Sequence, residues 1–414
     1  MTETRSLDAR AQRLVDRAGQ LAAFTSRPGG CSRLAFSAEL AEALGLFRGW
    51  LEAVGLRCRM DAAGNLSAVL PGSEPRLPRF LLGSHLDTVL DGGPWDGTLG
   101  LLVAADCVEQ LARSATPPKC DVEVLAFSDE EGVRFGSGCF GSRALAGAVH
   151  PRELELVSAD GVLLAQALAG FGGAPDALET VARDPKSLGA FLEVHIEQGP
   201  LLEQLDRSLG VVSAIAGNSR AELRFEGRSG HAGTVPMDGR SDALAAAAAW
   251  TVEVERRVSA ESELVGTVGL LSAQPGQVNV IAGSARATLD VRGPNDARRR
   301  DVVDRLREEA ERDAGRREVR LDWTETLDRS AIAMDPRLVE DARRTLTRSG
   351  REPPLMTSGA GHDSAVMASL CPTALLFVRC RDGLSHHPDE HVAVEDVRDA
   401  LEAADALLEG WLAH

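Results

Sequence analysis

Residues 81–97 read LLGSHLDTVLDGGPWDG. The apolar Phe80-Leu81-Leu82 run has the composition of a buried strand, yet it gives way at once to His85, Asp87, Asp91 and Asp96, with glycines between them. A polar surface turn would account for the glycines. It would not account for a His-x-Asp placed directly at a strand end, which points to positive charge held there. Asp87, two positions after His85, can accept the second imidazole N–H, fixing the tautomer and raising ligand basicity. Gly92, Gly93 and Gly97 allow the loop to turn back so that Asp96 returns to the same place.

The pattern recurs along the chain. Val122–Phe127 leads into SDEEG, Phe191–Val194 into HIEQG, and Ala374–Val378 into RCRDGLSHHPDE. Helical periodicity lies between these runs, over 99–112 and 394–412. Strands alternating with helices predict an α/β fold, a mostly parallel sheet sandwiched by helices. In such sheets ligands collect outside the carboxyl ends of the strands. The polar clusters supply His85, Asp96, Glu130 with Glu131, His195 and His386. Each alone is weak, because a histidine after a strand is usually structural and a Glu-Glu pair is usually a solvated turn. Their convergence carries the argument. Imidazoles and carboxylates without thiolate suit Zn²⁺, Mn²⁺ or Co²⁺, and the set exceeds what one ion needs. Two divalent ions bridged by one carboxylate would use them all.

The middle of the chain reads differently. Ala221–Phe225, 264–271, 285–291 and 319–323 are strand-like. SDALAAAAAWTVEVERRV reads as a helix started by Ser241 or Asp242. NDARRRDVVDRLREEAERDAG reads as a second helix capped by Asn295 or Asp296, with Val302, Val303 and Leu306 on one face. This βαββαβ order predicts a small two-layer domain over 210–325, inserted into a larger domain formed by 1–209 and 326–414.

Composition narrows the chemistry. A chain of 414 residues predicts two domains. Seven cysteines form no CxxC pair, which argues against disulfides and a thiolate zinc site. A net charge of −17 disfavours a nucleic-acid partner. No apolar run reaches the ~20 residues of a membrane span, and the charged N-terminus lacks the pattern of a signal peptide, so the expected location is cytoplasmic. Tyrosine is absent and only Lys119 and Lys186 are present, so acid, base and charge-stabilising roles fall to His, Asp, Glu, Arg and Asn.

Together with GHAGTVPM, QVNVIAG, LDVRG and SGAGHDS, these segments resemble the amidase, hydantoinase and carbamoylase branch of the M20 dinuclear metallohydrolases. The matching segments run in that family's order from about residue 80 to 390. The resemblance implies hydrolysis of linear ureido or amide bonds in a small anionic ureido substrate such as allantoate, an N-carbamoyl amino acid or 3-ureidopropionate. It implies His85, Asp96 and His195 around one ion, and Asp96, Glu131 and His386 around the other, with Asp96 as bridge. His386 rather than His387 fits the family's Ser-His-x-Pro-x-Glu pattern. Glu130 would be the general base, and His231 would stabilise the tetrahedral oxyanion. Gln198, Asn279 and Arg292 would contact substrate, Arg292 gripping a carboxylate in bidentate fashion. The resemblance also implies a homodimer through the inserted domain, with some site residues donated across the interface.

Arg220 stands where allantoate enzymes of the family place a second substrate-binding arginine, so allantoate is the expected substrate, with N-carbamoyl-L-amino acids or 3-ureidopropionate as the alternative. Ala282 replaces a common proline and is expected to loosen the loop carrying Asn279. Ser364 replaces a common alanine and places a hydroxyl near the site. An M20 aminopeptidase or deacylase would share the metal ligands but lack the HIEQGP and GHAGTVPM combination. A cyclic amidohydrolase on a (β/α)₈ barrel would need an early His-x-His and a bridging lysine. A metal-retaining binding module would lack a ligand or the base, and every such position is filled.

Overall fold

The computed structural model describes residues 6–348 and 352–412, so the first five residues of the charged N-terminal stretch lie outside the described residues. The chain divides into two compact units. One takes the chain up to Ser213, Met334–Met356 and Gly361 onward, and the other takes Ala214–Ala333 with Thr357–Ala360. The second unit therefore ends later than the expected 325. Its last strand, Arg320–Arg329, continues well past Trp323, bulging between Glu325 and Leu327 to stay paired with Gly217–Glu226.

The first unit is built on a mixed sheet. Its strands follow the order Arg57–Met60, Leu66–Leu70, Val122–Phe127, Arg79–His85, Leu188–Ile196, Thr373–Val378 and Leu209–Ile215. The four central strands pair in parallel, the pairs Arg57–Met60 with Leu66–Leu70, Leu66–Leu70 with Val122–Phe127 and Thr373–Val378 with Leu209–Ile215 are antiparallel, and Leu355–Ser358 also pairs with Leu209–Ile215. Side chains along the central strands alternate between two cores. Phe80, Leu82, Val122, Val124, Leu192, Val194 and Leu376 pack beneath the helices Leu7–Ala22, Ala38–Ala53, Thr98–Arg113 and Val394–Leu412. Leu81, Leu125, Phe127 and Phe191 face the opposite core with Phe36, Phe140, Leu168 and Met367. Burial on both faces explains why these strands read as continuous apolar runs instead of alternating ones. Polar groups inside the strands are paired where they lie, as Glu123 is with Arg79 and Arg183, and the strand ends carry the rest.

The second unit layers an antiparallel sheet against two helices. The sheet order is Leu271–Gln274, Ser284–Gly293, Gly217–Glu226 and Arg320–Arg329, with Val265–Thr267 also pairing with Ser284–Gly293. The helix Ala243–Val258 is capped by Asp242, whose side chain accepts from the Ala245 N–H, and Asp296–Arg316 is capped by Asn295 through the Arg298 N–H. Val302, Val303 and Leu306 meet Trp250, Leu223 and Leu289 in one core. The expected strand over 264–271 is broken in two, because the Thr288 hydroxyl accepts the Leu270 N–H at 3.0 Å where a regular ladder would run. Ala282 does not leave its loop loose. Its carbonyl accepts the Ala243 N–H at 3.1 Å, and Val280–Ile281 pairs with Gly230–His231. Among the described residues no helix is long and apolar enough to cross a membrane.

Candidate metal centre

The central parallel strands deliver their polar ends to one place in the first unit. His85 closes Arg79–His85, Glu130 and Glu131 follow Val122–Phe127, His195 lies in the last turn of pleat of Leu188–Ile196, and His386 follows Thr373–Val378. The loop after His85 brings Asp96 back among them. Asp96 Oδ1 lies 3.1 Å from His195 Nε2 and 3.5 Å from His85 Nε2, and Asp96 Oδ2 lies 3.4 Å from His386 Nε2. His386 Nε2 is also 3.6 Å from Glu131 Oε1. His85, Asp96 and His195 thus form one group able to hold a cation, and Asp96, Glu131 and His386 form another. Gly97 makes the approach possible. Its φ is +63°, and a Cβ there would lie 2.4 Å from the His85 ring.

The tautomers decide whether this donor set fits a cation. His85 Nδ1 is 2.9 Å from the Asp87 carbonyl, and His195 Nδ1 is 2.9 Å from the Ile196 carbonyl. A carbonyl only accepts, so each Nδ1 carries the hydrogen and each neutral Nε2 presents its lone pair. Those two Nε2 atoms face each other at 3.5 Å, with a carboxylate oxygen beside both. His195 Nε2 accepts the Gly97 N–H at 3.3 Å, but one N–H does not offset three acceptors converging in a buried space, which call for positive charge between them. Glu131 Oε1, buried and without a hydrogen-bond partner, adds to the same demand. The residues fit a divalent cation.

The electrostatics agree. Burial opposes protonation of His85, but the Asp96, Glu130 and Asp87 carboxylates outweigh it and raise the imidazole well above its ordinary range. Burial works against the Asp96 carboxylate too, and His195, His386 and His85 overcome it, holding Asp96 well below the usual carboxylate range. Burial lifts Glu130 well above that range and lifts Glu131 to about 7.

This has a measurable consequence for the metal-stripped protein. Burial also raises Glu390 to about 7 and Asp363 to about 8. The folded state keeps protons on these carboxyls that the unfolded chain releases at lower pH, so stability falls as pH rises towards the folded values. His85, His195 and His386, all raised, contribute stability below about 6.5 that is lost as pH passes their folded values. His362, lowered by burial, acts in the opposite sense only below about 6.5. From about pH 6.5 to pH 8 these groups act together. Calorimetry of chelated protein is expected to give a lower unfolding temperature at the upper end of that window, with the drop reduced by Mn²⁺. A temperature that rises across the window would contradict this assignment.

Several side chains take parts the sequence did not disclose. Asp87 orients His85 through its backbone carbonyl, not its carboxylate, whose Oδ1 is 3.9 Å from Nδ1. The carboxylate instead accepts the Glu130 and Glu131 N–H groups at 3.3 and 3.2 Å, so Asp87 sets the position of both glutamates. Gln198 donates to Asp96 Oδ2 at 2.8 Å, as does Ser385 at 2.7 Å. The Ser364 hydroxyl is not offered to the site; it donates to Glu193 Oε2 at 2.6 Å. Ser84 donates to the other oxygen of Glu193 at 2.9 Å. Glu193, His195 and His362 also cluster, but with both Glu193 oxygens satisfied and His362 edge-on to His195, that group buttresses His195. These supports are distant in sequence, and only the SGAGHDS segment hinted at them.

Arg220, His231, Asn279 and Arg292 belong to the second unit. His231 pairs with Val280, which sets it beside Asn279, whose carbonyl accepts the Ala232 N–H. Arg292 does grip a carboxylate in bidentate fashion, but it is that of Asp290, at 2.9 and 3.2 Å, and its Nη1 donates to the Gly359 carbonyl at 2.7 Å. Arg220, opposite Asp290 in the ladder, reaches the same carboxylate at 2.8 Å. Nothing in the sequence marks Asp290, because an acidic residue on a strand face is ordinarily only a solubilising one.

A mixed α/β fold with this donor set at its parallel strand ends defines a metal-dependent hydrolase. A family model described as Peptidase family M20/M25/M40 matches residues 81–410, and the chain belongs to that family. It is 37% identical over 396 residues to an N-carbamoyl-L-amino-acid amidohydrolase of Paenarthrobacter aurescens, covering 95% of this chain and 96% of that one. It is 35% identical to allantoate deiminase 1 of Glycine max, covering 95% and 88% respectively. A crystal structure of an amidase of the hydantoinase/carbamoylase family from Burkholderia multivorans superposes with a TM-score of 0.91 at 29% identity, covering 98% of each chain.

Proposed function

We propose that this protein hydrolyses the C–N bond of a linear ureido group in a small anionic substrate, with allantoate as the preferred one. The observation that carries the reading is the pair of donor groups sharing Asp96, with Glu130 alongside, its Oε2 3.8 Å from His85 Nε2. Relatives named for N-carbamoyl amino acids and for allantoate support the ureido class. His85, Asp96 and His195 would hold one divalent ion, and Asp96, Glu131 and His386 the other, Zn²⁺ or Mn²⁺ suiting both. Bound there, the ions supply a water nucleophile at neutral pH and polarise the scissile carbonyl.

The remaining work falls to the chain. Glu130, its proton affinity raised by burial, takes the proton of the attacking water and passes it to the leaving nitrogen. We assign oxyanion stabilisation to His231 and substrate contacts to Gln198, Arg220, Asn279 and Arg292. Asp87 fixes the backbone of the two glutamates. We assign a homodimer formed through the second unit.

Arg220 beside Arg292 supports allantoate, because two guanidinium groups can serve a substrate that carries a carboxylate and two ureido arms. The relative from Paenarthrobacter aurescens favours a second reading, an N-carbamoyl-L-amino acid. A panel of allantoate, ureidoglycolate, 3-ureidopropionate and N-carbamoyl-L-amino acids, assayed with Mn²⁺ and Zn²⁺ and again after chelation, separates them. Metal-loaded protein inert on the whole panel would leave a binding module. For Arg220→Ala we expect kcat/KM on allantoate to fall by about 10- to 100-fold, the range of one charge-assisted hydrogen bond, and by less on any carbamoyl amino acid. The reverse ranking would refute the substrate choice.

A further inference from the structure

Besides Ser385 on the Asp96 carboxylate, the two loops that provide Asp96 and His386 are fastened backbone to side chain by the buried Glu390. It is 3% exposed. Its Oε1 accepts the Trp95 N–H at 2.6 Å and the Asp96 N–H at 2.9 Å, across almost three hundred residues of sequence. Its own N–H donates to the His387 carbonyl at 3.1 Å, closing the turn that follows His386. The contact is close enough to exclude a side chain opposite. A Cβ on Gly93 would lie 2.2 Å from the Glu390 Cβ. Glu390 Oε2 is buried without a hydrogen-bond partner.

We infer that Glu390 is a positioning residue for the second cation: by holding the Asp96 backbone against the His386 turn, it sets the separation of Asp96 Oδ2 and His386 Nε2. The inference rests on the dinuclear reading above. It assigns Glu390 no contact with substrate or ion. Its effect passes through the backbone N–H of Asp96, so an oxygen acceptor at the same reach should preserve it and a shorter or missing one should not.

Calorimetric titration of the metal-stripped full chain with Mn²⁺ tests this alongside steady-state kinetics and circular dichroism. The parent protein should bind two equivalents. Glu390→Gln keeps an oxygen at the Oε1 position and should keep both equivalents near parent affinity. Glu390→Asp draws the acceptor back by one methylene and Glu390→Ala removes it. Both should weaken one equivalent by about 10- to 100-fold, the usual cost of losing an outer support of a metal ligand. In both, kcat should fall more than KM changes. If Glu390→Ala does not fold, the Asp and Gln variants carry the comparison alone. Parent-like affinity for both equivalents in Glu390→Asp, or a loss in Glu390→Gln as large as in Glu390→Asp, overturns the inference and leaves the dinuclear reading intact. A parent protein that binds no ion pair overturns that reading, and this inference with it.

Discussion

Glu130→Gln is expected to keep its divalent ions and its fold while turnover falls by about 10²- to 10⁴-fold, the share that a positioned general base contributes. The substitution is nearly isosteric. The backbone that carries the residue is fixed independently of its side chain, through the Asp87 carboxylate on the Glu130 N–H and through the Cys139 N–H on the Glu130 carbonyl at 2.8 Å. Glu130 belongs to neither donor group around Asp96, so cation binding should survive. What disappears is a carboxylate whose proton affinity burial raises well above the usual carboxylate range. Metal analysis and an unfolding temperature measured beside kcat check each part. Turnover close to that of the parent would remove Glu130 as the base. Loss of metal would make it a ligand.

Asp96→Asn should be more damaging still, because both donor groups share that one carboxylate. Oδ1 faces His195 and His85, while Oδ2 faces His386 and accepts from Gln198 and Ser385. An amide has one oxygen and a donor nitrogen, so it cannot serve both sides. Whichever way it turns, an N–H₂ group points at an acceptor or at an ion. We expect at least one cation to be lost, with an affinity change beyond the about 10- to 100-fold of an outer-support substitution, and turnover to collapse with it. His386→Ala, which touches only one group, should cost one equivalent of metal and spare the other. Two equivalents bound normally by Asp96→Asn would refute the bridge.

The α/β class and the side chains that gather at the strand ends were open to inspection in the chain. A parallel strand buried on both faces is largely apolar, so Phe80–Leu82, Val124–Phe127 and Ala374–Val378 could be found as uninterrupted runs, and their polar ends marked the candidate site. Helix starts were legible to within a residue, Ser241 or Asp242 and Asn295 or Asp296, because a cap is a local hydrogen bond between near neighbours; Asp242 and Asn295 take the role. What stayed hidden depends on backbone geometry or on partners far away in sequence. The antiparallel flanks of the sheet, the break at Thr288 and the end of the second unit at Ala333 follow from pairing registers that no single segment specifies. The use of the Asp87 carbonyl instead of its carboxylate is a question of torsion angles. Glu390 on the Asp96 loop and Asp290 between two arginines are ordinary acids until folding surrounds them. Residue type and spacing along the strands determined which groups meet. Only the packed chain decided which atom of each group faces the centre, because hydrogen-bond direction is set by neighbours that the linear order does not place side by side.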